Sequence, residues 1–376
     1  MFKTPSPKLP SLSYNSISLK WEAHSIMVVH GSPKPLVGVR FLLGLPSLLT
    51  LNLFLRYNSF MLLNIILLII GFVILIKGAD YFVEGASSIA GNLHVPKILI
   101  GLTIVAFGTS APEFAVSIKS ILAGSGDIVL GNVIGSNILN IVLILGCSAL
   151  FHSLQVQKNT AQKELPMMLL LTALFSVLLC DNLFDVNATN AFTRTDAAVV
   201  LMFFAVFLYY LFSLATGKKD KTKEKYLPLG KALLFTIGGI VGIILGSNFV
   251  VDSASALATA LGVSEKLIAM TIVALGTSLP ELVTSITATR RGEYDLALGN
   301  VIGSNIFNIG VVLGIPVALF GDISHLNFNY VDIGVMLLVA FLLFIFATNN
   351  RQITKREGIV FLGVFFVYYG YLLCLG

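Results

Sequence analysis

The chain has 376 residues, of which 56% are hydrophobic and only 11% charged, and its mean hydropathy is +0.91. Soluble domains are about one-quarter charged, so this composition excludes an ordinary soluble protein and indicates a polytopic membrane protein. The net charge of +5 does not indicate nucleic-acid binding, because the basic residues lie mostly in short loops between apolar runs. Three scattered cysteines without CxxC spacing indicate neither a disulfide framework nor a zinc site.

Residues 1–60 differ from the rest of the chain. The first 35 are polar and rich in Pro and Ser, and a proline-interrupted apolar run follows at 36–55. Three interpretations are open: a signal-like segment, an additional span, or translated sequence upstream of the start. The last is favoured because Met61 opens directly on an uninterrupted apolar stretch. Residues 1–60 are therefore set aside as an N-terminal extension before the fold is considered.

Ten stretches from residue 61 onward approach the roughly 20 mainly apolar residues that a membrane-spanning helix needs. They lie at 62–82, 96–122, 126–150, 165–181, 195–216, 229–252, 264–289, 295–320, 330–348 and 356–375. The first five (61–216) and the last five (229–376) follow the same internal order, and the basic loop 217–228 joins them. The predicted fold is an all-α polytopic membrane protein with ten transmembrane helices in two five-helix repeats.

Loop charge predicts the orientation of these spans. Loop 217–228 contains five lysines, which places it in the cytoplasm, since Lys and Arg accumulate on that side. The other basic loops then also lie in the cytoplasm, and the acidic loops with Asp181 and Asp322 lie outside. Because five spans separate the two repeats, the second is inverted relative to the first. Inverted repeats are typical of secondary transporters with a substrate site near the bilayer midplane.

The strongest pattern is a 46-residue stretch that occurs twice, at 101–146 and 269–314. The copies align without a gap, and 26 of the 46 paired positions are identical. Each copy contains GTSxPE, in which the proline is expected to break the helix just before a glutamate. A broken helix leaves backbone carbonyls without partners, so the carbonyls near Ala106 and Ala274 are predicted cation ligands.

Glu113 and Glu281 are the glutamates of these motifs and lie deep in apolar spans. A charge at the centre of a spanning helix costs roughly 2.5–3.5 kcal/mol on insertion scales. The motif segments carry no Lys or Arg close to either residue, so a bound cation or a proton is expected to compensate. Thr109 and Thr277 each precede their glutamate by four residues and share its helix face. The alternative is a pair of protonated acids that only hydrogen-bond neighbouring helices.

The second part of each copy, GNVIGSN, adds further oxygen donors. Ser136 and Asn140 are four residues apart on one helix face, as are Ser304 and Asn308. Carboxylates, hydroxyls, amides and carbonyls together form an all-oxygen shell, which favours calcium over zinc or copper. Alternatively, the last two asparagines clamp helices together. Structural hydrogen bonding is expected of the remaining asparagines, which are Asn132, Asn137, Asn300 and Asn305.

These paired motifs resemble those of the cation/calcium antiporter superfamily, in particular the prokaryotic sodium/calcium exchangers, and the resemblance covers residues 62–376. It implies that Glu113 and Glu281 bind calcium and sodium alternately. The other ion ligands it implies are Thr109, Thr277, the carbonyls of Ala106 and Ala274, Ser110, Ser278, Ser136, Ser304, Asn140 and Asn308. Many relatives, including the potassium-dependent branch, carry Asp at the position of Asn308, so a potassium requirement is not expected.

The predicted function is secondary active exchange of sodium for calcium by alternating access. The closest alternative is a calcium/proton antiporter, in which the same glutamates titrate. A passive cation channel and an intramembrane enzyme are more distant alternatives. The expected partners are calcium and sodium ions and the lipid bilayer of a prokaryotic plasma membrane, with no cofactor and no nucleic acid.

Overall fold

The computed structural model describes residues 48–375 except 185–188, 217–225, 264–271, 273 and 325–328, and almost all of it is helical. The helices of the first half are α1 (Leu48–Leu93), α2 (Lys97–Thr109), α3 (Ala111–Leu122), α4 (Gly126–Phe151), α5 (Thr160–Leu178), α6 (Asp181–Phe184) and α7 (Arg194–Ala215). Those of the second half are α8 (Leu229–Ala260), α9 (Ala274–Thr277), α10 (Leu279–Arg290), α11 (Tyr294–Phe320), α12 (Tyr330–Asn349) and α13 (Lys355–Leu375). Two short strands, β1 (Leu154–Gln155) and β2 (Gln352–Ile353), complete the described structure.

The helices follow the predicted order of spans. Within the described residues, eight helices are long and apolar enough to cross a membrane, and α2 with α3 forms a ninth candidate that bends by 47°. The remaining predicted span, 264–289, is the seventh in chain order; it corresponds to α9 and α10, and most of its upstream part lies outside the described residues. The order of elements therefore repeats between the halves, including the bent second span.

Helix α1 is longer than the predicted span at 62–82. It begins by Leu48 and passes through Met61 without a break, because no proline interrupts the apolar sequence there. It also continues beyond residue 82, where Ala86 and Ala90 are fully buried in a core shared with α8. It ends before His94, which has a φ of +57°, and Pro96 follows. The helix therefore extends beyond the predicted span 62–82 at both ends, and residues 1–47 lie outside the described part.

Helices α1 and α8 pack with their backbones in contact. A Cβ added at Gly78 would lie 2.8 Å from the Ile243 nitrogen, and one added at Gly246 would lie 2.5 Å from the Leu75 nitrogen. Small residues allow this close approach between helices in a membrane. The buried apolar residues of this pair, with parts of α2, α10 and α11, form one core, and most of the other helices form a second.

Short backbone pairings join loops of the two halves on opposite faces of the protein. Strand β1 pairs antiparallel with β2, so that Leu154 lies opposite Ile353. At the other end of α5, Phe192 forms an isolated bridge with Ile323. Each pairing ties the loop after the third span of one half to the loop after the fourth span of the other. This reciprocal pattern is what two inverted repeats produce.

Ion pairs connect the loop between α10 and α11 to the first two spans. Arg291 Nη2 lies 3.2 Å from Asp80 Oδ1, and its Nη1 lies 3.4 Å from Glu84 Oε2, so this side chain holds the end of α1. Lys97 Nζ, at the start of α2, lies 2.9 Å from Glu293 Oε2. All of these contacts lie on the predicted cytoplasmic face. They join the core of α1 and α8 to the remainder of the protein at that face.

We expect Arg291→Gln to loosen the end of α1 without unfolding the protein. Hydrogen–deuterium exchange of amides in residues 80–93 should accelerate by roughly 2- to 10-fold, because each partly exposed ion pair contributes at most about 1 kcal/mol. The effect should shrink at high salt, which screens the pairs. Arg290→Gln removes the neighbouring exposed charge and is the matched control. Equal exchange in the two variants would contradict a specific role for Arg291.

Candidate ion-binding site

A break in the second span of each half places each motif glutamate in the first turn of a new helix. Ser110 separates α2 from α3, and Ser278 separates α9 from α10, as the prolines predict. A proline is the second residue of each new helix, where its missing N–H has no partner to lose. Glu113 and Glu281 follow directly. The positive end of the helix dipole favours negative charge at these positions.

The two carboxylates are buried and only partly satisfied. Glu113 and Glu281 are each 1% exposed. Within the described part of the chain, neither oxygen of Glu113 accepts a hydrogen bond, and Glu281 accepts one, from Ser110 Oγ to its Oε1 at 3.0 Å. The carboxylates are also close enough for their charges to repel. Two buried and adjacent negative charges cost several kcal/mol each unless a positive partner is present.

Hydroxyl groups from both halves surround the carboxylates. The groups that approach Glu113 are those of Thr277 and Ser136, and the groups that approach Glu281 are those of Thr109, Ser110 and Ser304. The threonines and Ser110 reach across to the glutamate of the opposite half. Ser278 Oγ in turn donates to Ser136 Oγ at 3.4 Å. The structure therefore brings together the two glutamates and all six hydroxyl residues that the sequence singled out.

The side-chain amide of Asn300 fixes the orientation of the Thr109 hydroxyl. Asn300 donates through Nδ2 to Ser285 Oγ at 2.9 Å and to the Glu281 carbonyl at 3.4 Å. Its Oδ1 is then an acceptor, and Thr109 Oγ1 donates to it at 3.0 Å or to the backbone one turn back. Because the single hydroxyl proton is used in this way, the oxygen lone pairs of Thr109 remain available for a cation.

Four asparagines form a second symmetric network in which α4 crosses α11. Asn140 Nδ2 donates to Asn305 Oδ1 at 2.9 Å, and Asn308 Nδ2 donates to Asn137 Oδ1 at 3.1 Å. Asn137 and Asn305 also donate to each other's backbone carbonyls, at 3.5 and 3.3 Å. The amide nitrogens of Asn140 and Asn308 are thereby held, and their Oδ1 atoms have no partner within the described residues.

The structure corrects the expectation for the Ala106 carbonyl. This oxygen accepts from the Ser110 backbone N–H at 3.0 Å, so the helix break does not leave it unpaired. The carbonyls that lose their usual helical donor are instead those of Gly108 and Gly276, because the residue four positions later is a proline without an N–H. The carbonyl of Gly276 accepts from Ser247 Oγ of α8 at 3.2 Å. A cation contact at Ala106 would use the second lone pair of its oxygen. Ala274, its counterpart, is the first residue of α9.

Wide π-helical turns, which sequence reasoning missed, occur at the site. They cover Asn140–Leu145 in α4, Asn308–Leu313 in α11 and Gly101–Val105 in α2. The first two begin at the two asparagines with an unpartnered Oδ1. Such turns insert an extra residue and are frequent at functional sites. The sequence carries no signal for these π-helical turns apart from the identical placement of the two asparagines in the repeats.

The buried acceptor atoms without a hydrogen-bond partner indicate which kind of ligand the site can bind. Buried polar atoms almost always have a partner, so several orphaned oxygens in one place require an explanation. Of the twelve unpartnered buried side-chain oxygens among the described residues, six belong to residues of this site: Glu113 Oε1, Glu113 Oε2, Glu281 Oε2, Asn140 Oδ1, Asn308 Oδ1 and Ser304 Oγ. Carboxylate and amide oxygens accept but do not donate, which suits a hard cation with oxygen ligands. The described residues hold no cluster of three or more His, Cys, Asp or Glu that could bind a metal, so neutral oxygens must complete the shell.

We expect Asn305→Ala to weaken cation binding while the fold is retained. The variant removes the acceptor of Asn140 Nδ2, so this amide loses its fixed orientation. Loss of such an outer contact typically costs 10- to 100-fold in metal affinity, and a loss of roughly that size should appear in calcium titrations by calorimetry. Asn64→Ala is the matched control, since Asn64 bonds only within α1, to the Phe60 carbonyl at 2.9 Å. An unchanged affinity in Asn305→Ala would show that the network does not orient the site.

Comparisons with known proteins identify the family of the chain. The profile of the family described as "Sodium/calcium exchanger protein" matches residues 63–213 and 231–374. The chain is 37% identical to the putative antiporter CaxA of Alkalimonas amylolytica over 83% of this chain and 99% of that protein. It is 32% identical to the sodium/calcium exchanger MaX1 of Methanosarcina acetivorans over 79% and 95% of the respective chains.

Solved structures support the same assignment. The structure of the sodium-calcium exchanger NCX_Mj superposes with a TM-score of 0.73 at 33% identity, covering 84% of this chain and 100% of that one. The fold is therefore that of an integral membrane protein with ten helices in two inverted repeats. On the family profile, these relatives and this fold, the chain belongs to the sodium/calcium exchanger protein family and is a transporter of the cation/calcium exchange class.

Proposed function

We propose that the chain exchanges sodium for calcium across the membrane at one site built around Glu113 and Glu281. The observation that carries this proposal is the set of buried acceptor oxygens without partners among the described residues, to which both halves contribute. The family and the description of MaX1 as a sodium/calcium exchanger support the choice of ions. Calcium takes six to eight oxygen ligands, which carboxylates, hydroxyls, amides and carbonyls can supply together.

The proposed ligands divide between the two ions. Glu113 and Glu281 bind either ion, and the hydroxyls of Thr109 and Thr277 complete the calcium shell with the carbonyls of Ala106 and Ala274. Sodium binds beside the carboxylates at the serine hydroxyls, with the amide oxygens of the central asparagines between them. The serines and asparagines in this role are Ser110, Ser278, Ser136, Ser304, Asn140 and Asn308. Because both ions need the same carboxylates, they compete for the site.

Obligatory exchange follows from the charge of the site. An empty site would keep two negative charges buried, which opposes closure and reorientation. A site filled with calcium or with sodium ions is neutralised and can close. If several sodium ions replace one calcium ion, net charge crosses the membrane, and the potential contributes about 2.3 kcal/mol per charge per 100 mV.

The division of the apolar core supports alternating access. Helices α1 and α8 form one core with small parts of α2, α10 and α11, and most of the other helices form the second. Two separately packed bodies can shift against each other without either core being opened. The site lies mainly in the second body, and the Gly276 carbonyl at its break accepts a hydrogen bond from Ser247 of α8. Movement of α1 and α8 can therefore expose the site to one side at a time.

Ion-driven uptake into proteoliposomes tests the proposal. Vesicles loaded with sodium and diluted into sodium-free buffer should accumulate calcium-45, and vesicles with an imposed pH gradient and no sodium should not. The reverse result would assign the chain to calcium/proton antiport, since protons can also neutralise the two carboxylates. Steady single-channel current in place of saturable counterflow would contradict both forms of exchange.

A further inference from the structure

A second site lies on the predicted cytoplasmic face, away from the glutamates. It is a cavity of about 560 Å³ between the start of α5 and the end of α12. Its lining combines basic, polar and apolar side chains, among them Lys158, Gln162, Pro166, Phe344, Thr348 and Arg351. None of these residues belongs to the ion site. The cavity therefore requires a separate explanation.

Two cations from distant parts of the chain meet at this cavity. Lys158 comes from the loop between α4 and α5, and Arg351 comes from the loop between α12 and α13. The pairing of β1 with β2 holds the loops together, and the Val156 N–H donates to the Arg351 carbonyl at 2.8 Å. Arg351 has a φ of +50°, a conformation that is uncommon for a residue other than glycine. The tertiary fold thus fixes the position of this charge.

Among the described residues, neither Lys158 nor Arg351 forms an ion pair. The acids closest in sequence to the two cations have other partners, since Glu357 accepts from the Thr354 N–H at 2.6 Å and one oxygen of Glu164 accepts from the Tyr210 hydroxyl. A cavity with two cations and polar neighbours fits an anion with several acceptor oxygens, such as a phosphate group.

Apolar surface next to the cavity distinguishes a lipid from a free anion. Gln162, Pro166 and Leu170 are spaced four residues apart and lie on one face of α5. Leu170 is 60% exposed, and on α12 Phe341 and Ile345 are 50% and 39% exposed. The cavity thus opens toward apolar surface in the membrane region. An acyl chain attached to the anion can lie along that surface.

We propose that this cavity binds the phosphate headgroup of an anionic phospholipid of the cytoplasmic leaflet, with Lys158 and Arg351 contacting the phosphate. Basic pockets between spanning helices on the cytoplasmic side are suited to such headgroups. The site does not involve Glu113 or Glu281, so it stands whether or not sodium/calcium exchange is the function.

Lipid titration of the purified full-length protein tests the site. Delipidated protein in neutral detergent is titrated with phosphatidylglycerol, and bound lipid is counted by native mass spectrometry. The double variant Lys158→Gln with Arg351→Gln should bind phosphatidylglycerol roughly 30-fold more weakly, as expected for two surface cations. The control Lys355→Gln with Arg356→Gln removes the same charge from the same face outside the cavity, and it should bind like the unaltered chain.

Competition measurements with other ligands identify what the cavity binds. Phosphatidylcholine should not replace phosphatidylglycerol, and excess inorganic phosphate should not displace it. Equal weakening in both double variants would overturn the proposal in favour of diffuse surface charge, and displacement by inorganic phosphate would overturn the lipid assignment. If the double variant fails to fold, Lys158→Gln alone should weaken binding by roughly fivefold, and unchanged binding in that variant would also overturn the proposal.

Discussion

Glu113→Gln is expected to abolish calcium transport. The variant keeps the shape of the side chain but removes one of the two buried charges. Neither oxygen of Glu113 has a hydrogen-bond partner among the described residues. Loss of an outer-sphere partner typically costs 10- to 100-fold in metal affinity, so loss of a charged ligand should cost more than about 100-fold. Calcium-45 uptake into sodium-loaded proteoliposomes and calcium titration by calorimetry both measure the effect.

Two further variants make this result specific. Glu281→Gln should behave like Glu113→Gln, because the two positions are equivalent in the repeats. Glu84→Gln, at the end of α1, removes a carboxylate whose side chain is 40% exposed and pairs with Arg291, and transport should remain near that of the unaltered chain. Sodium-driven uptake that persists unchanged in Glu113→Gln would refute the assigned site.

Gly299→Val is expected to disrupt both stability and transport. A Cβ at this position would lie 2.9 Å from Gly101 Cα and 2.9 Å from the Ile98 carbonyl oxygen, so α2 and α11 must separate. Overpacking of this kind costs about 1–3 kcal/mol. The separation would also stretch the 3.0 Å hydrogen bond between Thr109 and Asn300. A lowered thermal unfolding midpoint with calcium uptake slower by about fivefold or more is the expected result, since about 1 kcal/mol corresponds to a factor of roughly five.

Gly363→Val is the matched control for this substitution. Gly363 lies inside α13, is exposed, and has no described heavy atom within 4 Å of an added Cβ. The same change of residue should therefore leave both unfolding and transport nearly unaltered. Comparable losses in the two variants would mean that valine harms the helices themselves, and that the contact between α2 and α11 is not responsible.

Local rules predicted the parts of the fold that depend on neighbours in sequence. Apolar length predicted the spans, and the prolines after Ala111 and Leu279 predicted the breaks that place Ser110 and Ser278 between helices. The duplicated motif predicted which side chains matter, because chance does not preserve a glutamate in two inverted apolar segments. The same rules failed for α1, whose continuation past residue 82 depends on packing against α8.

Two predictions about hydrogen-bond partners were wrong or incomplete. The Ala106 carbonyl is not freed by the break, because Pro112 removes the donor four residues after Gly108, while the Ser110 N–H still donates to Ala106. Asn300 was predicted to form structural hydrogen bonds only. Its bonds to Thr109 and to the Glu281 carbonyl in fact connect the two halves of the ion site. The bond between Thr109 and Asn300 crosses the repeat interface, and sequence spacing within one helix carries no information about it.

By itself, the sequence determined the membrane character, the inverted duplication, the broken helices and the identity of the two buried acids, because hydropathy, proline geometry and repetition are local properties. Only the tertiary structure decided that Ser110 of one half donates to Glu281 of the other, and that four asparagines hold each other's amides and leave two oxygens unpartnered. It also decided that Lys158 and Arg351 share a cavity. These arrangements join residues 165–193 positions apart, and packing between helices, rather than any local pattern, brings them within hydrogen-bonding distance or around one cavity.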